Sequence, residues 1–305
     1  MVSMLMRHVI TLIADQRNSE LLPAVTVRLR QQLGGGEPRV LSEGEAVDIP
    51  FPDAPDMARV SNALDGAPID AIAIPAEGRR KRLLVADMDS TIVTGETLDE
   101  LADFAGLKDR IAAITARAMN GELDFKAALR ERVAMLRGLP VEALERAWRR
   151  IRLTQGAREL VATMRAHGAY TVLVSGGFSF FTSRVAALCG FDLHRSNNLL
   201  DDGIVLTGRV AEPILDRDTK LATLTALAAE RGLDLAATLA VGDGANDLDM
   251  LHAAGMGVAF HAKPVVAAAA RVRVDHTDLR ALLFAQGYRR EEIVTPESHP
   301  GPAVP

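Results

Sequence analysis

Short apolar runs alternate along the chain with longer stretches whose apolar positions recur every three to four residues, the signature of strands interleaved with helices. In residues 1–80, His8–Ala14 predicts a strand and Leu21–Leu33 a helix, stopped by Gly34, Gly35 and Gly36. Two short extended runs around Ser42–Glu45, a polar helix over Met57–Leu64 and a strand at Asp70–Ile74 complete a β-α-β-β-α-β order. That order predicts a small α+β ferredoxin-like domain. Residues 81–292 read as strand–helix units around a doubly wound parallel sheet, with the clearest strands at Arg82–Ala86, Tyr170–Val174, Thr238–Val241 and Met256–Phe260. The helical stretch of about residues 97–154 is too long for a simple crossover. It predicts an inserted cap over the strand ends, opened by a capping box at Thr97-Leu98-Asp99-Glu100. Residues 293–305, with Pro296, Pro300, Pro302 and Pro305, predict a disordered tail.

Composition narrows the classes. The chain has 305 residues and 48% apolar side chains, enough for a sizeable core built from Ala, Leu, Val and Ile, since aromatics are 4%. Forty acidic against 35 basic side chains argue against a nucleic-acid surface or an anionic membrane as partner. No apolar run reaches the ~18 residues of a membrane span. The segment His8–Ala14, bracketed by Arg7 and Asp15, reads as a strand rather than a signal peptide. The single Cys189 excludes an internal disulfide and a thiolate zinc cluster, which fits a reducing, cytoplasmic setting.

Three of the predicted strands run into chemically loaded turns: Asp87-Met88-Asp89-Ser90-Thr91, Ser175-Gly176-Gly177, and Gly242-Asp243-Gly244-Ala245-Asn246-Asp247. Ligands of open α/β sheets bind beyond the carboxyl ends of strands, so three such turns predict one composite site. Taken singly, each is also an ordinary turn or helix cap. Spacing alone does not identify their chemistry, although phosphoryl transfer is one that such residues can perform. A carboxylate can attack phosphorus and a neighbour can protonate the leaving oxygen. Asp243 and Asp247 suit a hard cation such as Mg²⁺, which would offset the repulsion between carboxylate and phosphate. Ser175 and the two glycines suit a phosphate cradle. The context Val174-Ser175-Gly176-Gly177 lacks the nucleophile elbow of a serine hydrolase.

On the predicted helix Phe125–Leu136, Phe125, Leu129, Arg132 and Leu136 share one stripe. Arg132 could snorkel to water there, or offer its forked guanidinium to a substrate carboxylate. Glu96, nine positions after Asp87, could pair with an ammonium group. Lys220, ahead of Leu221, Leu224 and Leu227, reads by itself as a solvated surface charge. A Walker phosphate loop, H-E-x-x-H and G-x-G-x-x-G are all missing from the sequence.

The segment D-M-D-S-T matches the D-x-D-x-T signature of the haloacid dehalogenase superfamily. Joined by A-M-N-G-E-L-D-F, L-R-E-R-V, S-G-G-F and V-G-D-G-A-N-D, it resembles the phosphoserine phosphatase family over about residues 82–283. The resemblance implies a magnesium-dependent hydrolysis of O-phospho-L-serine, the last step of serine biosynthesis, through an aspartyl-phosphate. It implies Asp87 as nucleophile and Asp89 as acid and base. The metal ligands would be Asp87, the backbone carbonyl of Asp89, and Asp243, with Asp247 holding the metal's water shell. Glu96 and Arg132 would read the ammonium and carboxylate of serine, and Met119 and Phe125 would close an apolar wall. Ser175, Gly176, Lys220 and Asn246 would hold phosphate, Lys220 being preferred to Lys263. Residues 1–80 resemble, more loosely, ACT-type modules, which bind amino acids or mediate dimers, so a homodimer is a possible assembly. Two alternatives stay open from the residues: the same chemistry on another phosphorylated alcohol, and an amino-acid-sensing module on an inactive core.

Overall fold

The computed structural model describes residues 6–119 and 124–296. Its first part is a four-stranded sheet of β1 (His8–Ala14), β2 (Arg39–Ser42), β3 (Ala46–Phe51) and β4 (Ile69–Pro75). The order is β2-β3-β1-β4 with every neighbour antiparallel, the arrangement of the expected β-α-β-β-α-β sandwich. Helices α1 (Leu21–Leu33) and α2 (Met57–Leu64) cover one face, where Ile10, Leu12, Leu22, Leu29, Ile49 and Val60 form a core. The other face presents Val9, Ile13, Leu41, Ile72 and Ile74 to the rest of the protein. Both faces are therefore buried, which is why β1 reads as a continuous apolar run instead of an alternating one.

The middle strands differ from expectation. Extended runs were expected around Ser42–Glu45, whereas residues 43–45 form the turn and the strands flank it. β3 is disguised by Asp48 and Pro50, residue types that strands usually avoid. The buried Asp48 carboxylate is satisfied by the Thr11 hydroxyl at 2.7 Å and by an Arg79 ion pair at 2.6 Å.

The second part is a parallel sheet of β5 (Leu83–Ala86), β6 (Tyr170–Phe178), β7 (Leu193–Asn197), β10 (Thr238–Gly242), β11 (Met256–Phe260) and β12 (Val272–Val274), ordered β12-β11-β10-β5-β6-β7. The short strands β8 (Leu199–Asp201) and β9 (Leu206–Val210) pair as a separate hairpin. Helices α7 (Ala157–Ala166), α8 (Ser179–Cys189), α9 (Arg217–Glu230), α10 (Leu248–Ala253), α11 (Pro264–Ala269) and α12 (Ala281–Ala285) follow in the core. Pairing of Val241 with Ala86, and of Ala86 with Leu173, brings the carboxyl ends of β10, β5 and β6 side by side.

Between β5 and α7 lie α3 (Thr97–Phe104), α4 (Lys108–Met119), α5 (Phe125–Ala134) and α6 (Glu142–Trp148). The two chain segments joining these helices to the core run together. Val93 bridges Leu153, Thr94 N–H donates to Arg152 C=O at 3.0 Å, and Thr154 N–H donates to Ile92 C=O at 2.9 Å. The expected capping box is not formed: Glu96 precedes the helix, and Thr97 is its first residue. Thr97 N–H instead donates to Asp89, so the local pattern serves the strand-end turn.

At the far end, Ile293 is buried and Val294 N–H donates to Thr163 Oγ1 at 2.9 Å, so packed chain continues into the segment expected to be a tail. Residues 297–305 of that segment lie outside the described residues. Cys189 is buried and its thiol is pushed up to about 12 by burial, which leaves it unreactive. No described helix is long and apolar enough to cross a membrane.

Candidate active site

Asp87 leaves the end of β5 between its two neighbouring strands, its N–H donating to Val241 C=O at 3.0 Å. The chain then makes one wide turn over Met88–Ile92. Asp89 stays extended while Ser90 takes a left-handed conformation at φ 55°, uncommon for a residue with a Cβ. This turn points the Asp87 and Asp89 carboxylates in different directions. Asp87 Oδ1 pairs with Lys220 Nζ at 2.7 Å. Asp89 Oδ1 accepts from Thr97 N–H at 2.8 Å, and Oδ2 accepts from the Ser175 hydroxyl at 3.1 Å.

Lys220 is 2% exposed and projects from the first turns of α9 to bridge two acids, reaching Asp247 Oδ1 at 2.6 Å as well as Asp87. Burial alone would lower its ammonium pKa, but the Asp247 and Asp87 carboxylates raise it above the ordinary value, so it is charged. The Asp87 carboxyl is raised well above the ordinary range by burial and by the Asp247 charge, with Lys220 opposing. Asp89 is pushed up to about 6, first by burial and then by the Glu96 carboxylate. Such tuning leaves Asp89 able to carry a proton near neutral pH, as an acid catalyst requires.

Asp243 and Asp247 flank the turn after β10. Asp243 Oδ1 accepts weakly from Thr91 at 3.4 Å, and its Oδ2 lies 3.7 Å from Lys263 Nζ. Asp247 Oδ2 accepts from Gly244 N–H at 3.0 Å. A Cβ on Gly242 would overlap the Asp247 carboxylate, so glycine is required for Asp247 to fold back over its own strand. Asp87, Asp243 and Asp247 are buried and offer carboxylate oxygens that all lie within 4.8 Å of one another. Asp243 is also raised from the ordinary value, mainly by burial, with Asp247 and Glu96 adding to it. Oxygen-only donors crowded in this way, short of countercharge, fit a hard divalent cation.

The end of β6 supplies the third part of the site: the strand, expected to stop at Val174, runs on irregularly through Ser175, Gly176 and Gly177 to Phe178. Ser175 Oγ accepts from Gly177 N–H at 2.8 Å while donating to Asp89. A Cβ on Gly177 would lie 3.0 Å from Asp89 Oδ2, and one on Gly176 would lie 3.2 Å from Phe125 Cζ. Phe125, the first residue of α5, thus caps the strand end from above. Arg132 is half-buried on the same helix, its Nε donating to Ala128 C=O at 3.2 Å. Burial lowers its pKa, and the Asp99 and Glu96 carboxylates partly offset that. Glu96 accepts from Ser90 Oγ at 3.0 Å. Asn246 is half-buried on the turn between Asp243 and Asp247. Met119 ends α4, and its side chain lies outside the described residues.

Several participants were not singled out from the sequence. Asn197, at the end of β7, donates from Nδ2 to Gly176 C=O at 2.9 Å and accepts at Oδ1 from Leu215 N–H at 2.8 Å. It locks the end of β6 to the segment leading into α9 and Lys220. Thr97 anchors Asp89, and Lys263, set aside in favour of Lys220 as a phosphate ligand, flanks Asp243 instead. A lone Asn after a weak strand carries no local signal, whereas Thr97 was visible but in the wrong role.

The haloacid dehalogenase-like hydrolase family model matches residues 84–252, from β5 into α10. The chain belongs to this family. Within the haloacid dehalogenase-like hydrolases, the chain is similar to a phosphoserine phosphatase of Streptococcus thermophilus, 48% identical over 200 residues, covering 65% of this chain and 93% of that protein. A phosphoserine phosphatase of Streptomyces coelicolor is 44% identical over 229 residues, covering 75% of this chain and 56% of the other. The chain spans little more than half the length of several such relatives. The crystal structure of a probable phosphoserine phosphatase from Vibrio cholerae superposes with a TM-score of 0.77 at 31% identity, covering 94% of this chain and 88% of that one.

Proposed function

We propose that this hydrolase is a magnesium-dependent phosphoserine phosphatase, acting on O-phospho-L-serine in serine biosynthesis. The observation that carries the reading is the division of labour at one strand end. Asp87 is paired with a buried lysine, and Asp89, two residues on, is turned aside and tuned to about 6. The 48% identity to a phosphoserine phosphatase over 93% of that protein's length supports the choice of substrate.

Asp87 Oδ1 is held by Lys220, and Oδ2 attacks phosphorus in line. As the bond from phosphorus to the serine oxygen breaks, Asp89 gives that oxygen its proton. Water then attacks the aspartyl-phosphate, Asp89 takes a proton from it, and phosphate leaves with the Asp87 carboxylate restored. Ser175 Oγ, Gly176 N–H, Lys220 Nζ and Asn246 hold the phosphoryl oxygens, and Lys220 compensates their charge. A bound Mg²⁺ supplies further charge compensation for the phosphoryl group. Asp87, the Asp89 carbonyl and Asp243 would hold it, with Asp247 behind its water. Arg132 and Glu96 read the carboxylate and ammonium of the substrate, and Phe125 excludes water from above. The chain divides on this reading into an ACT-like module at 1–80, the hydrolase at 81–292 with its cap at about 97–154, and a tail at 293–305.

The test is a comparison of kcat/KM for O-phosphoserine, phosphothreonine, phosphohomoserine and a sugar phosphate. Preference for O-phosphoserine that disappears in Arg132→Ala and Glu96→Gln is the expected result. Equal turnover of all four by the wild type contradicts the assignment of substrate.

A further inference from the structure

Asp70 is the second residue of β4 in the N-terminal sheet, yet its carboxylate is spent wholly on the other part of the molecule. It is 4% exposed and accepts five hydrogen bonds from the turn after β12. Oδ1 takes the N–H groups of Asp275 at 2.8 Å and His276 at 3.2 Å. Oδ2 takes those of His276 at 3.2 Å and Thr277 at 2.9 Å, together with the Thr277 hydroxyl at 2.6 Å. A buried carboxylate so fully satisfied fixes the backbone of 275–277.

That backbone in turn holds a strained residue beside the site. Thr277 C=O lies 2.7 Å from His261 Nε2, and a carbonyl only accepts, so Nε2 carries the proton and donates. His261 N–H donates to Val274 C=O at 2.8 Å. These bonds keep His261 at φ 43°, a left-handed conformation that a residue with a Cβ rarely adopts. Two residues later, Lys263 N–H donates to Asp243 C=O at 3.2 Å, and Lys263 Nζ lies 3.7 Å from Asp243 Oδ2. The sharp bend at His261 is what returns the chain from the end of β11 to Asp243.

We infer that Asp70 is a positioning residue: through Thr277 and His261 it sets the loop 261–263 that flanks Asp243, so the N-terminal sheet shapes the acidic side of the active site. A second anchor keeps the two parts in register. Arg79, whose guanidinium pairs with Asp48 of β3, donates to Phe284 C=O at 3.1 Å and Ala285 C=O at 3.0 Å. The effect on metal rests on the reading of Asp243 as a ligand, whereas the effect on the loop does not.

The test uses the full chain carrying Asp70→Asn. The amide cannot accept on both sides, so it turns an NH₂ group toward backbone donors and breaks the turn locally. Hydrogen–deuterium exchange of the segment 261–267 should rise about fivefold while α1 and α2 keep their protection, a size ordinary for coupling between distant sites. The calorimetric Kd for Mg²⁺ should weaken by a similar factor. Faster exchange confined to 275–277, with 261–267 unchanged, overturns the inference, as does an unchanged Kd. If Asp70→Asn does not fold, Thr277→Val, which removes one bond of the five, should move both readouts in the same direction by less, and no movement overturns the inference equally. A wild type that binds no Mg²⁺ defeats the metal reading alone, and exchange in 261–267 still decides the positioning role.

Discussion

Lys220 Nζ lies 2.7 Å from Asp87 Oδ1, and the ammonium is buried between that carboxylate and Asp247. The pair is held by Asp247 from the other side, so Lys220 both restrains Asp87 and separates two acids that would otherwise repel. Replacement by the uncharged Lys220→Met should lower kcat by about 10²–10³, the usual loss when a charge-stabilising group is removed. The metal-free variant should also be about 3–5 kcal/mol less stable at neutral pH, because buried charge is left uncompensated. Lowering the pH should recover much of that stability, since Asp87 can take up a proton. Thermal melts of metal-free protein across pH check this. A pH-independent loss contradicts it.

Gly177 is the tightest point of the proposed phosphate cradle. A methyl group there would lie 3.0 Å from both Asp89 Oδ2 and Ser175 Oγ, and 3.3 Å from Thr97 Oγ1. Gly177→Ala should therefore displace the acid and the cradle together. A displacement approaching 1 Å costs about 10²-fold in rate. Single-turnover kinetics should show the loss in the chemical step, with the fold intact by circular dichroism. Full activity in the variant would mean that the cradle is more yielding than described.

The cap is tied to the core by two exposed ion pairs from one face of α5. Lys126 reaches Asp216 at 3.0 Å, and Arg130 reaches Glu212 at 2.7 Å. Exposed pairs are individually weak and are screened by salt. The double variant Lys126→Ala/Arg130→Ala should raise KM a few-fold, and raising the ionic strength should do the same to the wild type. The variant should then show little further response to salt. Equal salt sensitivity of KM in both proteins contradicts a role for these pairs in holding the cap.

Much of this site could be read from the chain because its signals are local. Asp87 and Asp243 each follow an apolar strand and begin a turn, and at Ser175 the apolar run of β6 gives way to Ser and Gly although the strand continues, so the change of pattern marks all three. The cap was legible from its length. What was hidden depends on partners remote in sequence. Asp48 and Pro50 disguise β3 because Arg79 and Thr11, elsewhere in the chain, make a buried acid tolerable. Asn197 gains its meaning from Gly176 and Leu215, and Asp70 from a turn about two hundred residues downstream. Thr97 shows a further failure. Its T-x-x-E pattern is a true helix-start signal, but Asp89 takes the Thr97 N–H that Glu100 would accept in a capping box, and the helix begins at Thr97 itself.

Asp89 sets the pH behaviour of the metal-free protein. Its carboxyl is raised from 3.8 to about 6 by burial and by Glu96, so the folded state keeps this proton longer than the unfolded chain does. The corresponding stability is complete below about pH 3.8 and is lost as pH rises through about 6. Carboxyl-carbon NMR of metal-free protein should place the Asp89 midpoint near 6, and Glu96→Gln should lower it by removing the second of the two causes. A midpoint unmoved by Glu96→Gln would leave burial as the whole cause.

The most direct measurement is Mg²⁺-dependent release of inorganic phosphate from O-phosphoserine by the full chain, run beside Asp87→Asn. The account predicts turnover by the wild type that chelation abolishes and added Mg²⁺ restores, with Asp87→Asn inactive although folded. Absence of phosphate release by the wild type, or full turnover by Asp87→Asn, would contradict it.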